Sequence, residues 1–267
     1  MVAPAGIAQC ADRLWQAQAS RSPISPQTDD NRDLTVTDAY AIQAQNIERR
    51  IAAGRVIRGR KVGLTSRPMQ QLAGVSEPDF GVLLDDVFIE DGDEIPLETL
   101  VQPRVEAKLA FMLGRNLAGP GVTPSAALSA ISGVAPAIEI ADSRIADWRL
   151  QIVDTISDNA SSGLLFVGGR LTPVTDVDLR LVGMVLTRNG QLIETGAGAS
   201  ALGNPARCVA RLANKLSSFG TALHEGDVIL PGALHRMVPV RPGDVFRAEF
   251  AHLGAVTARF SSRGGSS

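Results

Sequence analysis

The 267-residue chain holds two cysteines, three histidines and one tyrosine, and aromatic residues make up 4% of it. Each scarcity excludes a class of protein. Cys10 and Cys208 cannot build a framework of bridges; two buried thiols are expected, with a single disulfide as the alternative. His224, His235 and His252 fall at no zinc-motif spacing. That argues against zinc held by His and Cys and leaves carboxylates, hence a hard ion, as the metal chemistry open to the chain. No apolar run approaches the roughly 20 residues that cross a bilayer. The opening MVAPAGIAQCADRLWQ has neither the basic start nor the long apolar core of a secretory signal. Lys plus Arg total 26 against 28 Asp plus Glu, and they are scattered, so no basic surface for nucleic acid is expected. A cytoplasmic protein, with neither nucleic acid nor membrane as a partner, is the expectation.

The chain is 45% hydrophobic, enough for one large domain or one domain with an N-terminal extension. Ile7, Cys10, Leu14 and Ala17 recur at helical steps. After a polar, Pro-containing stretch, Thr37 is expected to cap a second helix that ends at Gly54, with Tyr40, Ala44, Ile47 and Ile51 facing inward. From residue 56 short apolar runs broken by Gly, Pro and Asp read as strands. Thr123-Pro124 and Asn204-Pro205 each pair a cap with proline at the first turn, predicting two helices. Asn189-Gly190 between apolar runs predicts a hairpin, and DVIL, VFRAEF and VTARF supply later strands. Val167-Gly168-Gly169 reads as a turn between strands, not a phosphate loop. The fold class is α+β: an N-terminal helical part over 1–55 and a mixed, mostly antiparallel β-core over 56–267.

Four segments embed charge in apolar sequence: GRKVGLTS with Lys61, SEPDFGVLLDD with Asp79, RVEAKLAFML with Glu106 and Lys108, and PAIEIADSRIADW with Glu139. Taken singly, each has a structural reading, such as a snorkelling lysine, a turn aspartate or a solvated edge. RVEAKLAFML alternates so that Val105, Ala107, Leu109 and Phe111 share one face, while Glu106 and Lys108 lie side by side on the other. Glu139 stands between two isoleucines, and burying it unpaired would cost several kcal/mol, so it demands a cation or a metal ion. Glu106 makes the same demand.

These motifs, with IVDTISDNASSG, occur in the order seen in the hydratases of aromatic meta-cleavage pathways, and the chain resembles that family from DAYAIQ to VPVRPGDVF. These are the 2-hydroxypenta-2,4-dienoate (2-keto-4-pentenoate) and 2-oxohept-4-ene-1,7-dioate hydratases, relatives of the 4-oxalocrotonate decarboxylases within the fumarylacetoacetate hydrolase superfamily. The resemblance implies a β-roll or barrel core of fumarylacetoacetate hydrolase type. It also implies a hydro-lyase that adds water to a 2-hydroxy-2,4-dienoate or 2-oxo-enoate, giving a 4-hydroxy-2-oxo acid. Lys61 and Asp79 match positions of proton transfer and substrate orientation, and Ser161 and Ser162 lie where a hydroxyl could meet the substrate carboxylate. His235 and Arg236 are candidates for the substrate tail. A homo-oligomer of five or ten subunits is implied, with association with a pathway enzyme open.

The family holds Mg2+ or Mn2+ with three glutamates, two as E-x-E. Here those positions are Glu106, Lys108 and Glu139, and the middle one is not an acid. Four outcomes are open. Lys108 contacts substrate in a metal-independent enzyme, or a weaker metal site survives with waters in place of the lost ligand. Alternatively Lys108 turns away, or the chain serves another role, as a 2-oxo-dioate decarboxylase, a low-activity form or a partner subunit.

Overall fold

The computed structural model describes residues 3–65 and 78–262; Ser66, Ser76 and Glu77 of the quoted motifs lie outside them. Three helices come first: α1 (Pro4–Ser20), α2 (Gln27–Asp30) and α3 (Val36–Ala52). The α1 stripe is as expected, with Cys10, Leu14 and Ala17 buried. The start of α3 is not. Its cap is Thr35 rather than Thr37, because Asp38 completes a reciprocal capping box: the Asp38 N–H donates to Thr35 Oγ1 at 3.2 Å, and the Thr35 N–H donates to the Asp38 carboxylate at 3.0 Å. The buried face of α3 is correspondingly Ala39, Ile42 and Gln43, while Ala44 and Ile51 are exposed. Gln43 is buried because its amide donates to the carbonyls of Phe80 (2.9 Å) and Ile156 (3.0 Å).

Fourteen strands follow among the described residues: β1 (Ile57–Gly63), β2 (Asp79–Leu84), β3 (Phe88–Ile89), β4 (Glu94–Ile95), β5 (Pro103–Leu113), β6 (Ile131–Asp142), β7 (Ser162–Val167), β8 (Thr172–Pro173), β9 (Gly183–Arg188), β10 (Gln191–Ala197), β11 (Val228–Leu230), β12 (Val238–Pro239), β13 (Val245–Phe250) and β14 (Gly254–Phe260). Helices α4 (Pro124–Ala130) and α6 (Pro205–Ser217) begin at the expected caps, where Thr123 and Asn204 side chains accept from Ala126 and Ala206 amides. Between them in sequence lies α5 (Ile152–Ser157). The larger sheet runs β2-β1-β11-β5-β6-β7-β3, with β12 beside β5 and β8 beside β6; the smaller runs β10-β9-β13-β14-β4. Pairing is antiparallel except for β1–β11, β3–β7 and β4–β14. The β9–β10 hairpin turns at Asn189-Gly190, both at positive φ (53° and 79°), the conformation a two-residue turn requires.

The two faces of β5 differ as the alternation predicts. Val105, Ala107, Leu109 and Phe111 join Ile138 and Ile140 of β6 and Phe246, Phe250 and Val256 of the smaller sheet in the main core. The opposite face carries Glu106 and Lys108 and is otherwise lined by small or aliphatic residues: Ala110, Ala137, Leu165, Leu230 and Leu83. Helices α1, α3 and α5 share a separate core that includes Leu14, Ile42, Ile145 and Ile156. Both cysteines are free and buried. No helix among the described residues is long and apolar enough to cross a membrane.

Candidate active site

The register of the larger sheet forces an electrostatic problem. Glu106 on β5 stands directly opposite Glu139 on β6, and like charges at that spacing repel. Lys108, two residues along the same face of β5, resolves it: its Nζ lies 2.7 Å from Glu106 Oε2 and 3.0 Å from Glu139 Oε2. The second Glu139 oxygen is paired with Lys61 from β1. Lys61 Nζ also donates to the Ala160 carbonyl at 2.7 Å. Four charged groups from three strands therefore meet in a buried chain, Lys61–Glu139–Lys108–Glu106. Lys108 and Glu139 are 2% and 1% exposed, and Glu106, with 13% of its side chain accessible, is the member nearest solvent.

Burial alone would push the Glu139 carboxyl up, but the Lys108 and Lys61 ammonium groups outweigh it and hold the carboxyl below its ordinary value. Burial likewise opposes the charge on Lys108, and Glu106 with Glu139 more than restores it, so the ammonium is held above its ordinary value. The match is one of charge more than of hydrogen bonding. Both Glu139 oxygens lie within ion-pair distance of ammonium groups, yet neither contact has the angles of a hydrogen bond.

Asp79 adjoins this chain at the start of β2, opposite Gly63 of β1. A Cβ on residue 63 would overlap Asp79 Oδ1, so only glycine leaves room for the carboxyl there. Asp79 is buried, and neither of its oxygens has a hydrogen-bond partner among the described residues. Desolvation lifts its pKa to about 6, although Lys61, its own amide and Lys108 pull the other way. This carboxyl changes protonation close to neutrality.

The support for Lys61 is a strained turn. Asn159, Ala160 and Ser161 all have positive φ (51°, 52° and 51°), a conformation that costs non-glycine residues roughly 1–2 kcal/mol each. Asn159 locks the turn against β2, accepting from the Val82 N–H at 2.7 Å and donating to the Val82 carbonyl at 2.9 Å. The turn thereby aims the Ala160 carbonyl at Lys61. Gly81 of β2 has no Cβ to collide with the Lys61 stem or the Asn159 carbonyl.

Of the residues singled out in the sequence, Lys61, Glu106, Lys108 and Glu139 come together, with Asp79 beside them. Ser161 and Ser162 do not join them by any hydrogen bond. The Ser161 hydroxyl lies 3.3 Å from Asp158 Oδ2. Ser162 lines a separate cavity of about 280 Å3 with Leu14, Gln43, Arg144 and Asp158. That cavity contains none of the five ionisable residues of the site, and its Arg144 and Asp158 are already paired, so it is a gap beneath the helices rather than the place of chemistry. His235 was weighed only as a tail contact, but it reaches the site strand: its Nε2 accepts from the Ala107 N–H at 2.7 Å, while Nδ1 faces the Arg236 carbonyl. Those partners fix the neutral tautomer protonated at Nδ1, consistent with a pKa lowered by burial. Arg236 turns outward to Glu194. The Cys208 thiol, pushed up to about 12 by burial, is no nucleophile. Arg144 and the Ala160 carbonyl escaped the sequence reading, and Asn159, which reads in sequence as a loop or cap, serves to lock the turn.

This curled two-sheet fold with an acid–lysine chain on one strand face defines a class. The chain belongs to the fumarylacetoacetate (FAA) hydrolase family, whose C-terminal region matches residues 50–261. Within it, the chain is 48% identical over 254 residues to a 2-keto-4-pentenoate hydratase of Paraburkholderia xenovorans, covering 95% of this chain and 94% of that one. It is 41% identical to the 2-oxo-hept-4-ene-1,7-dioate hydratase of Escherichia coli, covering 94% and 96%. Among solved structures, the 4-oxalocrotonate decarboxylase of Pseudomonas putida G7 complexed with magnesium and adipate superposes with a TM-score of 0.95 at 35% identity, covering 97% of this chain and 99% of that one. The same enzyme is also known with calcium and acetate.

Those structural relatives hold divalent ions, and the donor set here can be tested for the same ability. It does not fit. Among the described residues no three His, Cys, Asp or Glu side chains gather to hold a metal, and the space between the two glutamates is taken by the Lys108 ammonium.

Proposed function

We propose that the chain is a hydro-lyase that adds water to a 2-hydroxy-2,4-dienoate or its 2-oxo-enoate tautomer, giving a 4-hydroxy-2-oxo acid in the breakdown of aromatic ring-cleavage products. The observation that carries this reading is the buried Lys61–Glu139–Lys108–Glu106 chain beside Asp79, whose oxygens have no hydrogen-bond partner among the described residues. It is supported by the hydratase names of relatives at 41–48% identity.

The chemistry asks for two things. Ketonisation moves the proton of the 2-hydroxyl to carbon 5, and hydration then places hydroxyl on carbon 4 and hydrogen on carbon 3. Both steps gather negative charge on the 2-oxygen, so fixed positive charge there lowers both barriers. Both also need a group that takes and returns a proton near neutral pH. Lys61 and Lys108 supply the first. Each is held by carboxylates rather than by water, so neither reorganises as charge develops. Asp79, with its pKa of about 6, is assigned the second. Substrate contact by Ser161 requires its hydroxyl to leave Asp158.

The test is direct. Purified protein is incubated with 2-hydroxypenta-2,4-dienoate and the loss of dienol absorbance is followed; turnover is expected, and a rate equal to buffer overturns the reading. The close superposition on a decarboxylase favours a second reading, loss of carbon dioxide from a 2-oxo-dioate. Product analysis separates the two, since one product gains water and the other loses a carboxyl. A cytoplasmic homo-oligomer of five or ten subunits completes the proposal, and sedimentation reads the subunit number.

A further inference from the structure

We propose that Lys108 is a built-in replacement for a divalent cation, so that this site binds the 2-oxo acid headgroup without metal. The inference rests on the reading of the site as one for 2-oxo or 2-hydroxy-dienoates.

Three observations support it. Glu106 and Glu139 face each other across β5 and β6, a pair that requires a cation between them. That cation is present and covalently tethered: Lys108 Nζ sits 2.7 Å from one carboxylate and 3.0 Å from the other, 2% exposed. Its charge is held at that position by the two carboxylates and by burial on a face otherwise lined by Ala110, Ala137, Leu165 and Leu230. A hard divalent ion needs several oxygen ligands at about 2.0–2.6 Å. Here two carboxylates remain, both engaged by an ammonium that would repel the incoming ion.

The charge arithmetic completes the case. Lys61 and Lys108 balance Glu106 and Glu139, leaving the chain neutral before substrate arrives. An ammonium has three N–H donors. Glu106 and Glu139 hold Lys108 as ion pairs, and no other acceptor among the described residues is seen against its Nζ, which leaves donor capacity for the carboxylate or 2-oxygen of a ligand. A single ammonium polarises that oxygen less than a divalent ion, but Lys61, on the far side of Glu139, adds a second positive charge to the same face.

The experiment measures metal and headgroup binding apart from turnover. Mn2+ is titrated into full-length protein and followed by electron paramagnetic resonance. The wild type is expected to leave the free-ion signal unchanged at millimolar Mn2+, whereas Lys108→Glu binds about one ion per chain at least 100-fold more tightly. Oxalate, a stand-in for the 1-carboxylate and 2-oxygen, is then titrated in excess EDTA. The wild type is expected to bind it, and Lys108→Gln to bind it at least 10-fold more weakly. One tightly bound Mn2+ per wild-type chain overturns the proposal, as does oxalate binding that EDTA abolishes. If Lys108→Glu fails to fold, Lys108→Gln is titrated with Mn2+ instead: binding at least 10-fold above wild type supports the proposal, and equal binding overturns it. Because no step depends on dienoate turnover, an inactive protein would refute the hydratase reading while leaving these titrations decisive.

Discussion

Two buried charge clusters stand on either side of the left-handed turn at 159–161, and they are built to opposite standards. On one side, Arg144 and Asp158 saturate each other. Arg144 Nε lies 2.5 Å from Asp158 Oδ1, its backbone N–H donates to Oδ2 at 3.1 Å, and its remaining nitrogens donate to the Asp158 carbonyl (2.6 Å), the Ser162 carbonyl (2.9 Å) and Gln18 (3.2 Å). On the other side, Glu139 is ion-paired without hydrogen-bond geometry and Asp79 has no partner among the described residues. Saturation marks a cluster that holds the fold. Unspent donors and acceptors, costly to bury, mark one that waits for a ligand. Equal burial conceals unequal purpose.

That contrast can be broken most forcefully at Lys61. Lys61→Met removes one ammonium but leaves Glu139 paired with Lys108. Dienoate turnover should fall about 10²- to 10⁴-fold with the circular dichroism spectrum intact; a loss under 10-fold would place Lys61 on the structural side. Arg144→Leu should do the reverse. It strands Asp158 as a buried charge, so urea unfolding should show a loss of roughly 3–5 kcal/mol, with kcat per folded molecule changed little.

Asp79 sharpens the comparison through pH. Its folded pKa of about 6 exceeds the ordinary 3.8, so the folded state favours the protonated form. The stability this contributes is fully present below about pH 4 and lost as pH rises through about 6. The difference corresponds to roughly 3 kcal/mol. Asp79→Asn should therefore flatten the wild-type decline in stability between pH 4 and 7 and erase an inflection in kcat/KM near pH 6. The smallest effect is expected at Ser161→Ala, which deletes one hydroxyl contact to Asp158 and should cost about 1 kcal/mol with turnover nearly unchanged. A large rise in KM there would instead put the Ser161 hydroxyl on substrate.

How much of this was legible varies by residue, for identifiable reasons. The β5 alternation, the caps at Thr123 and Asn204 and the Asn189-Gly190 hairpin are local signals, and each holds. So does the demand of Glu139 for a cation, because an acid between two isoleucines has few other options. The start of α3 was misjudged, since Thr37 precedes the helical pattern more closely, although only Thr35 has an acid three residues on. The inward face of α3 was misjudged in part: Tyr40 packs against the core, but Ala44 and Ile51 are exposed and Gln43 is drawn inside by two carbonyls, which hydrophobicity does not register. Asp158-Asn159 reads in sequence as a loop or cap, and the pairing of Asp158 with Arg144 was overlooked because it is made by folding across 14 residues. Nothing in Asn159-Ala160-Ser161 announces three consecutive left-handed residues, since alanine and serine rarely adopt that shape.

That turn also sets a trap for anyone seeking a hardier catalyst. Lys61 is held by a main-chain oxygen, so the contact does not need the buried methyl of Ala160, and Ala160→Gly, which relieves a positive φ, should raise the urea midpoint by an amount worth about 1 kcal/mol. The same exchange frees the peptide to swivel and slackens its grip on the ammonium. Screens that reward heat tolerance alone would collect this variant and lose speed without seeing why.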